Sequence, residues 1–367
     1  MTTRLLHIVP TLEYAGPQKQ MMLLSGQLPR ADFDVKVFSL NGVGPLASEL
    51  ERQSINVIPK KSRHQSWGHT FQQLSQSMKD WSPDIVHTWT ATANWIGRAA
   101  AIRHGVPQIV ATQPTQSRDR STTDLISDRF LARWTSSYVV RNDQVKLAYQ
   151  TRGVSANKIH VIPNGVEQPG SPHLSRANLL EKLKLPSDAR MIGTVGPLNA
   201  EKRIKDLIWA ADLLKVVRDD TYLLVIGGGP HEERLHQFRD QVRIRDRVLF
   251  LGIRDDLPQL LPHLDCFWLA NRFESLTNSL LEAMAAGIPV IATNIAGNRH
   301  VITPGETGFL VKIGDRAGFA RKTQTFLEDP TLAKRCGKAA QERVQQEFNV
   351  ESIANQYLQV YQRPRPS

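Results

Sequence analysis

The sequence predicts an α/β protein built from two consecutive doubly wound parallel-sheet domains. Three observations carry that expectation. Short apolar runs alternate with helix-period stretches almost throughout the chain. The alternation breaks once, at residues 168–175 (QPGSPHLS), and then restarts. A length of 367 residues suits two hydrophobic cores better than one.

In the first half, strands are expected at Leu5–Val9, Val35–Leu40, Asn56–Ile58, Ile85–Thr88, Gln108–Ala111, Ser137–Val140 and Ile159–Ile162. Helical periods such as Gln18–Leu28 and Ala93–His104 lie between most of them. After the break, strands are expected at Met191–Val195, Tyr222–Ile226, Val248–Leu251, Cys266–Leu269, Val290–Ala292 and Phe309–Val311. Helices are expected at about Lys205–Val217, Glu232–Val242, Asn278–Ala286 and Ala317–Leu327, and from about Lys334 to Tyr361. This places one domain at 1–167 and another at 168–346, with a terminal helix at about 347–363 strapping back onto the first. Sheets of this kind bind ligands beyond the carboxyl ends of their strands, so two facing domains are expected to make a cleft.

Composition narrows the function classes. The formal charge is +11, of which +7 falls in residues 1–167 (19 Lys/Arg against 12 Asp/Glu) and +4 in the remainder. A basic balance suits phosphates or anionic lipid, and no nucleic-acid signature accompanies it. The stretch Ser117–Trp134, with Leu125, Ile126, Phe130 and Trp134 beside Arg129 and Arg133, has the make-up of a contact with anionic membrane; packing on the domain core is the alternative. Only Cys266 and Cys336 occur, and no apolar run is long enough to span a bilayer. A short apolar start followed by Glu13 is unlike an export signal. The expected setting is cytoplasmic, at most peripheral at the inner membrane face.

The most informative segment runs from Phe273 to Thr293, FESLTNSLLEAMAAGIPVIAT. Thr277 is placed to cap a helix whose apolar face holds Leu280, Leu281 and Met284, with Gly287 and Pro289 at its end. The N–H groups of Leu276, Thr277 and Asn278 then face outward at a positive helix end, an anion site beside the carboxylates Glu274 and Glu282. A plain amphipathic helix with solvated acids has the same pattern. A second segment begins at Gly193, GTVGPLNAEKRIKDLIWAADLL, with Gly196 ending a strand and Lys202 preceding a helix. In a third, LVIGGGPHEERL, a strand runs into Gly227, Gly228 and Gly229, small residues that let a ligand approach the backbone. It is neither a P-loop nor a His-Glu-x-x-His zinc helix, and neither cleft loop has an Asp-x-Asp or His/Cys cluster, so no metal is expected. Gly16 with Pro17 can open a helix with free N–H groups after the first strand.

Glu274 and Glu282 with the run Leu-Glu-Ala-Met-Ala-Ala-Gly-Ile-Pro-Val resemble the Glu-x7-Glu signature of retaining glycosyltransferases, especially family 4 of the GT-B fold. The resemblance implies two Rossmann-like domains and a nucleotide-sugar donor such as UDP- or GDP-hexose, with no cofactor. It implies that Glu274 contacts the donor sugar hydroxyls and Glu282 the ribose hydroxyls. It implies that Lys202 holds the diphosphate, that Gly196, Gly228 and Gly229 line the nucleotide, and that Gly252, Ile253 and Arg254 read the base through the backbone. The acceptor would be a glycan, a lipid or a small molecule, in envelope or exopolysaccharide synthesis. Three positions depart from the family pattern: Pro197 stands where an Arg is usual, Gln113 where a His is, and His300 where a Glu is. Arg203 or Lys205 are candidates to replace the missing Arg. These departures keep a degenerate sugar-nucleotide-binding or glycan-binding homologue open as an alternative, beside a sugar-nucleotide epimerase.

Overall fold

The computed structural model describes residues 2–59, 66–113, 129–170, 172–273 and 276–362. It divides into two compact units, Met1–Gly165 with Val350–Ser367, and Val166–Asn349.

The first unit is a parallel sheet of seven strands: β1 (Thr3–Val9), β2 (Phe33–Ser39), β3 (Asn56–Pro59), β4 (Ile85–Trp89), β5 (Gln108–Gln113), β6 (Ser137–Val140) and β7 (Ile159–Val161). Their spatial order is β3-β2-β1-β4-β5-β6-β7. Leu5 lies opposite Val35 on one side and Ile85 on the other. Helices α1 (Gly16–Gln27), α2 (Leu46–Arg52), α3 (Trp67–Trp81), α4 (Thr90–Arg103) and α5 (Asp143–Gln150) connect successive strands. The central strands β4, β5 and β6 are buried along their whole length, because helices cover both faces of such a sheet.

The second unit repeats the plan with six strands: β8 (Arg190–Val195), β9 (Thr221–Ile226), β10 (Val248–Gly252), β11 (Cys266–Leu269), β12 (Val290–Thr293) and β13 (Phe309–Val311), in the order β10-β9-β8-β11-β12-β13. Its helices are α6 (Arg176–Leu183), α7 (Ile204–Lys215), α8 (Glu232–Gln241), α9 (Leu257–Leu260), α10 (Asn278–Ala285), α11 (Ala296–Val301), α12 (Arg316–Glu328) and α13 (Pro330–Glu347). Side chains alternate between two cores, as strand geometry requires. Met191, Leu224, Phe267, Leu269 and Val290 join one, with α10 and α13. Ile192, Leu223, Val225, Trp268 and Ile291 join the other, with α7 and α12. In both sheets the order reverses direction once, between β1 and β4 and between β8 and β11. That reversal opens a crevice at the carboxyl edge.

The terminal stretch differs from the expected continuous helix. It is α13 followed by α14 (Val350–Tyr361), broken at Phe348–Asn349. Long-range pairing explains the break: the Val166 N–H donates to the Phe348 carbonyl at 2.9 Å, and Asn349 bridges Val166. Asn349 Nδ2 closes the end of α13 on the Gln345 carbonyl. Helix α14 packs against α1 in the first unit, covering a polar cluster. There His87 bonds Tyr361 Oη and Thr112 Oγ1, both at 2.7 Å, and Trp89 Nε1 donates to His7 Nδ1 at 3.0 Å. None of the described helices is long and apolar enough to cross a membrane.

Candidate functional site

The second unit gathers several of the expected residues at the carboxyl edge of its sheet. After β8 the chain passes Gly196–Asn199, makes one 3-10 turn at Ala200–Lys202 and enters α7. Asn199 Oδ1 caps that turn by accepting from the N–H groups of Glu201 and Lys202, at 3.1 and 3.2 Å. The turn swings Lys202 back over the strand end. A Cβ at Gly196 would stand 3.3 Å from Lys202 Cε and 3.8 Å from its Nζ. Lys202 is only 6% exposed, which holds the ammonium against the end of β8, beside the crevice between β8 and β11. The Arg272 N–H donates to the Glu201 carbonyl at 2.9 Å and so ties the loop after β11 to this turn.

The glycines after β9 have a reason that the sequence pattern did not disclose. The Leu198 N–H donates to the Gly228 carbonyl, and the His231 N–H to the Leu198 carbonyl, both at 2.9 Å. A Cβ at Gly227 (φ 134°) would lie 2.1 Å from the Gly196 carbonyl oxygen, and one at Gly229 (φ 158°) 2.7 Å from Leu198. At these two positions a Cβ would run into the adjoining loop. At Gly228 the nearest atoms belong to the Ile253 side chain, at 3.4 Å. Gly227→Ala is therefore expected to destabilise the second unit by about 2–3 kcal/mol through clash and backbone strain. Denaturant unfolding checks this, and an unchanged midpoint would refute the packing role.

Ile253 is 72% exposed beside Gly228. The Arg254 guanidinium is committed to Asp256 in a two-point pair, at 2.6 and 2.5 Å. This pairing raises the arginine and lowers the carboxyl from their ordinary values. The backbone of 252–254 and the exposed Ile253 side chain are the groups left for ligand recognition there. Across the crevice, Leu276 and Thr277 are buried at the start of α10, with Asn278 and Glu282 half-buried on the helix. Thr277 occupies the capping position but makes no side-chain cap, contrary to expectation. Its Oγ1 is buried with no hydrogen-bond partner among the described residues. A hydroxyl so placed can donate to an anion at the helix start. Glu274 lies outside the described residues.

Both suggested replacements for the missing arginine are engaged with neighbouring side chains. Arg203 pairs with Asp206 at 2.5 Å, and Arg316 meets the same carboxylate at 2.9 Å. Lys205 Nζ lies 4.4 Å above the Phe238 ring. Pro197 is exposed. His300 is exposed on α11, edge-on to Phe348 with centroids 5.9 Å apart, its carbonyl accepting from Arg343. Gln113 is buried at the end of β5, and Gly16 opens α1, both in the first unit.

Sequence reasoning overlooked a buried polar knot beside the crevice. Asn271 Oδ1 accepts from Asn298 Nδ2 at 3.2 Å, and Asn298 Nδ2 also donates to the Thr293 carbonyl at 2.8 Å. Thr293 Oγ1 donates to the Asn271 carbonyl at 2.6 Å. The knot fixes the loop carrying Arg272. An asparagine directly after an apolar strand end, in CFWLAN, was its only local sign.

Two family models match. Residues 14–168 match Glycosyltransferase Family 4, and residues 175–343 match Glycosyl transferases group 1. Among curated proteins, an Escherichia coli UDP-Gal:alpha-D-GlcNAc-diphosphoundecaprenol alpha-1,3-galactosyltransferase is 27% identical over 87% of this chain and 86% of its own. The N-acetyl-alpha-D-glucosaminyl L-malate synthase of Bacillus anthracis is 38% identical over 161 residues, where the match spans 44% of this chain and only 42% of that enzyme. Among solved structures, Anabaena HepE in complex with UDP and glucose superposes with a TM-score of 0.87 at 21% identity, over 98% of this chain and 99% of that one. At that identity the likeness shows the fold, two Rossmann-like domains of the GT-B type.

Proposed function

This chain belongs to the family 4 glycosyltransferases of the GT-B fold, and from that premise we propose that it is a retaining, metal-independent hexosyltransferase. It moves a sugar from a nucleoside-diphosphate donor, UDP- or GDP-linked, to a glycan, lipid or small-molecule acceptor in envelope or exopolysaccharide synthesis. The observation that carries this reading is the pairing of two features at one crevice. A lysine ammonium is held over Gly196, and across from it a helix start bears the Thr277 hydroxyl, which has no partner among the described residues. A diphosphate is the ligand that suits both.

In this proposal residues 168–346 bind the donor and residues 1–167 serve the acceptor, with α14 as the strap. Lys202, the N–H groups of Leu276, Thr277 and Asn278, and the backbone at Gly228 and Gly229 face the diphosphate. Glu282 accepts from the ribose hydroxyls and Glu274 from those of the sugar. The backbone at Ile253 and Arg254 meets the base, and the helix start that Gly16 opens is a further candidate for binding phosphate. The bond from the anomeric carbon to the leaving diphosphate breaks while the acceptor oxygen bonds to that carbon from the same face. The acceptor's proton passes to the departing phosphate oxygen. The protein's share is orientation and stabilisation of the leaving charge. The setting is cytoplasmic, with a peripheral contact to anionic membrane and none to nucleic acid.

Glu282→Ala is expected to weaken nucleoside-diphosphate binding by about 1.5–3 kcal/mol, roughly 10–150-fold, with the fold intact. Titration calorimetry with UDP and GDP reads it; unchanged affinity for both rejects the ribose role. Pro197, Gln113 and His300 favour one second reading, a homologue that binds donor without turning it over. Donor hydrolysis separates the readings. The transferase releases nucleoside diphosphate, the inactive homologue none, and an epimerase an isomerised sugar nucleotide.

A further inference from the structure

We propose that the amino-terminal edge of the first sheet is a docking surface for an anionic phospholipid bilayer. This gives the peripheral contact in the preceding reading a definite place. In a parallel sheet every strand starts on one edge, and the residues just before β6 and β7 meet there. Arg129, Phe130, Arg133 and Trp134 precede β6, and Arg152 and Lys158 precede β7. The four cations line one open cavity of about 330 Å³, and among the described residues no carboxylate shares that lining.

Two aromatic rings stand beside the cations. Phe130 is 68% exposed and Trp134 43%, with centroids 5.2 Å apart, and the Arg133 guanidinium lies 5.9 Å from the Trp134 ring. Lys158 braces the platform: its Nζ donates to the carbonyls of Ala132, Arg133 and Thr135 at 3.0–3.4 Å, joining the turn before β6 to the start of β7. The three arginines are left at the surface.

Neighbouring exposed rings are costly in water and favourable at the bilayer interface, where Trp and Phe sit at headgroup depth. Guanidinium groups flanking them meet lipid phosphates in two-point hydrogen bonds. A strand of bases would need a run of spaced rings along a groove, and among the described residues this surface has a single pair. The edge is opposite the one where loops follow the strands, so docking leaves that edge unobstructed.

The test is co-sedimentation of the full chain with vesicles of phosphatidylcholine alone and of equal phosphatidylcholine and phosphatidylglycerol, at low and high salt. Binding to the anionic vesicles alone, weakened by salt, is expected. The double variant Arg133→Gln/Arg152→Gln should lower the partition coefficient roughly 30-fold, about fivefold per cation. Trp134→Ser should lower it with the charge unchanged. Arg321→Gln/Lys338→Gln removes two exposed cations from the second unit and should leave binding as it was. No binding to anionic vesicles overturns the proposal. So does an equal loss in the second-unit variant, which would make net charge the cause, and so does binding of single-stranded RNA in place of vesicles. Donor hydrolysis is measured alongside. Its absence from every protein including the wild type would sink the transferase reading and leave the vesicle result to be judged by itself.

Discussion

Replacing Lys202 with alanine is expected to cut donor turnover by about 10²–10³, with a much smaller change in KM. The magnitude is that of removing one positioned donor from a developing anion in a preorganised site. Lys202 is the residue for which position and chemistry coincide. Its stem is buried, its ammonium is held over Gly196, and its turn is capped by Asn199 and tied to the loop after β11. The neighbouring cations are occupied, Arg203 by Asp206 and Lys205 by the Phe238 ring, so neither is placed to compensate. Pro197→Arg should raise turnover by restoring a second cation beside the first, provided the loop keeps its shape without the φ that proline imposes. Both variants are to be assayed with chelator present. Turnover of Lys202→Ala equal to wild type would remove this lysine from the mechanism. Loss of wild-type turnover to chelator would replace the proposed metal-independent mechanism by one with a bound ion.

Acid is expected to weaken the first unit well before carboxylates begin to titrate. Burial lowers His7 from 6.5 to about 3, and it holds His87 well below its ordinary value, with His7 and Arg141 adding to the effect. Both rings are therefore neutral in the folded chain when the unfolded chain protonates near 6.5. Stability is complete above that pH and falls as pH drops through the window from 6.5 toward 3, because only the unfolded state takes up the proton. For His7 alone the loss is about 2 kcal/mol at pH 5, at about 1.4 kcal/mol per pH unit. The depressed carboxyls of Asp220 and Asp256 act in a lower window, being lost only as pH falls below 3.8. Urea unfolding at pH 7.5 and pH 5 measures the effect. His7→Gln, whose side-chain oxygen can still accept from Trp89 Nε1, should remove the His7 share of the pH dependence and leave the part due to His87 burial. A wild-type midpoint that stays constant across this window would contradict the assignment.

Much of the fold was legible because parallel strands buried on both faces leave continuous apolar runs, and helices between them leave a 3.6-residue period. β6, β11 and β13 were located to the residue. The family emerged from the Glu274–Thr293 segment, where helix cap, apolar face and terminating Gly-Ile-Pro follow in order. Errors arose where the sequence pattern did not show which partner a side chain takes. Thr277 reads as a cap from its position, yet its buried hydroxyl makes no cap bond. Arg203 and Lys205 read as free cations until Asp206 and Phe238 come into place around them.

The amino-acid sequence by itself determined the α/β class, the number and approximate extent of the strands, and the family. Each of these rests on periodicity or on residues close together in the chain. The tertiary structure alone decided the strand order that puts a crevice between β8 and β11, and the break at Phe348–Asn349 that pairing with Val166 imposes. It also decided the packing of the Gly196 loop on Gly227 and Gly229, and the meeting of Arg152 and Lys158 with Arg129 and Arg133 on one edge. These are contacts between segments from about 20 to 180 residues apart, and hydrophobic period carries no record of which strand will lie beside which.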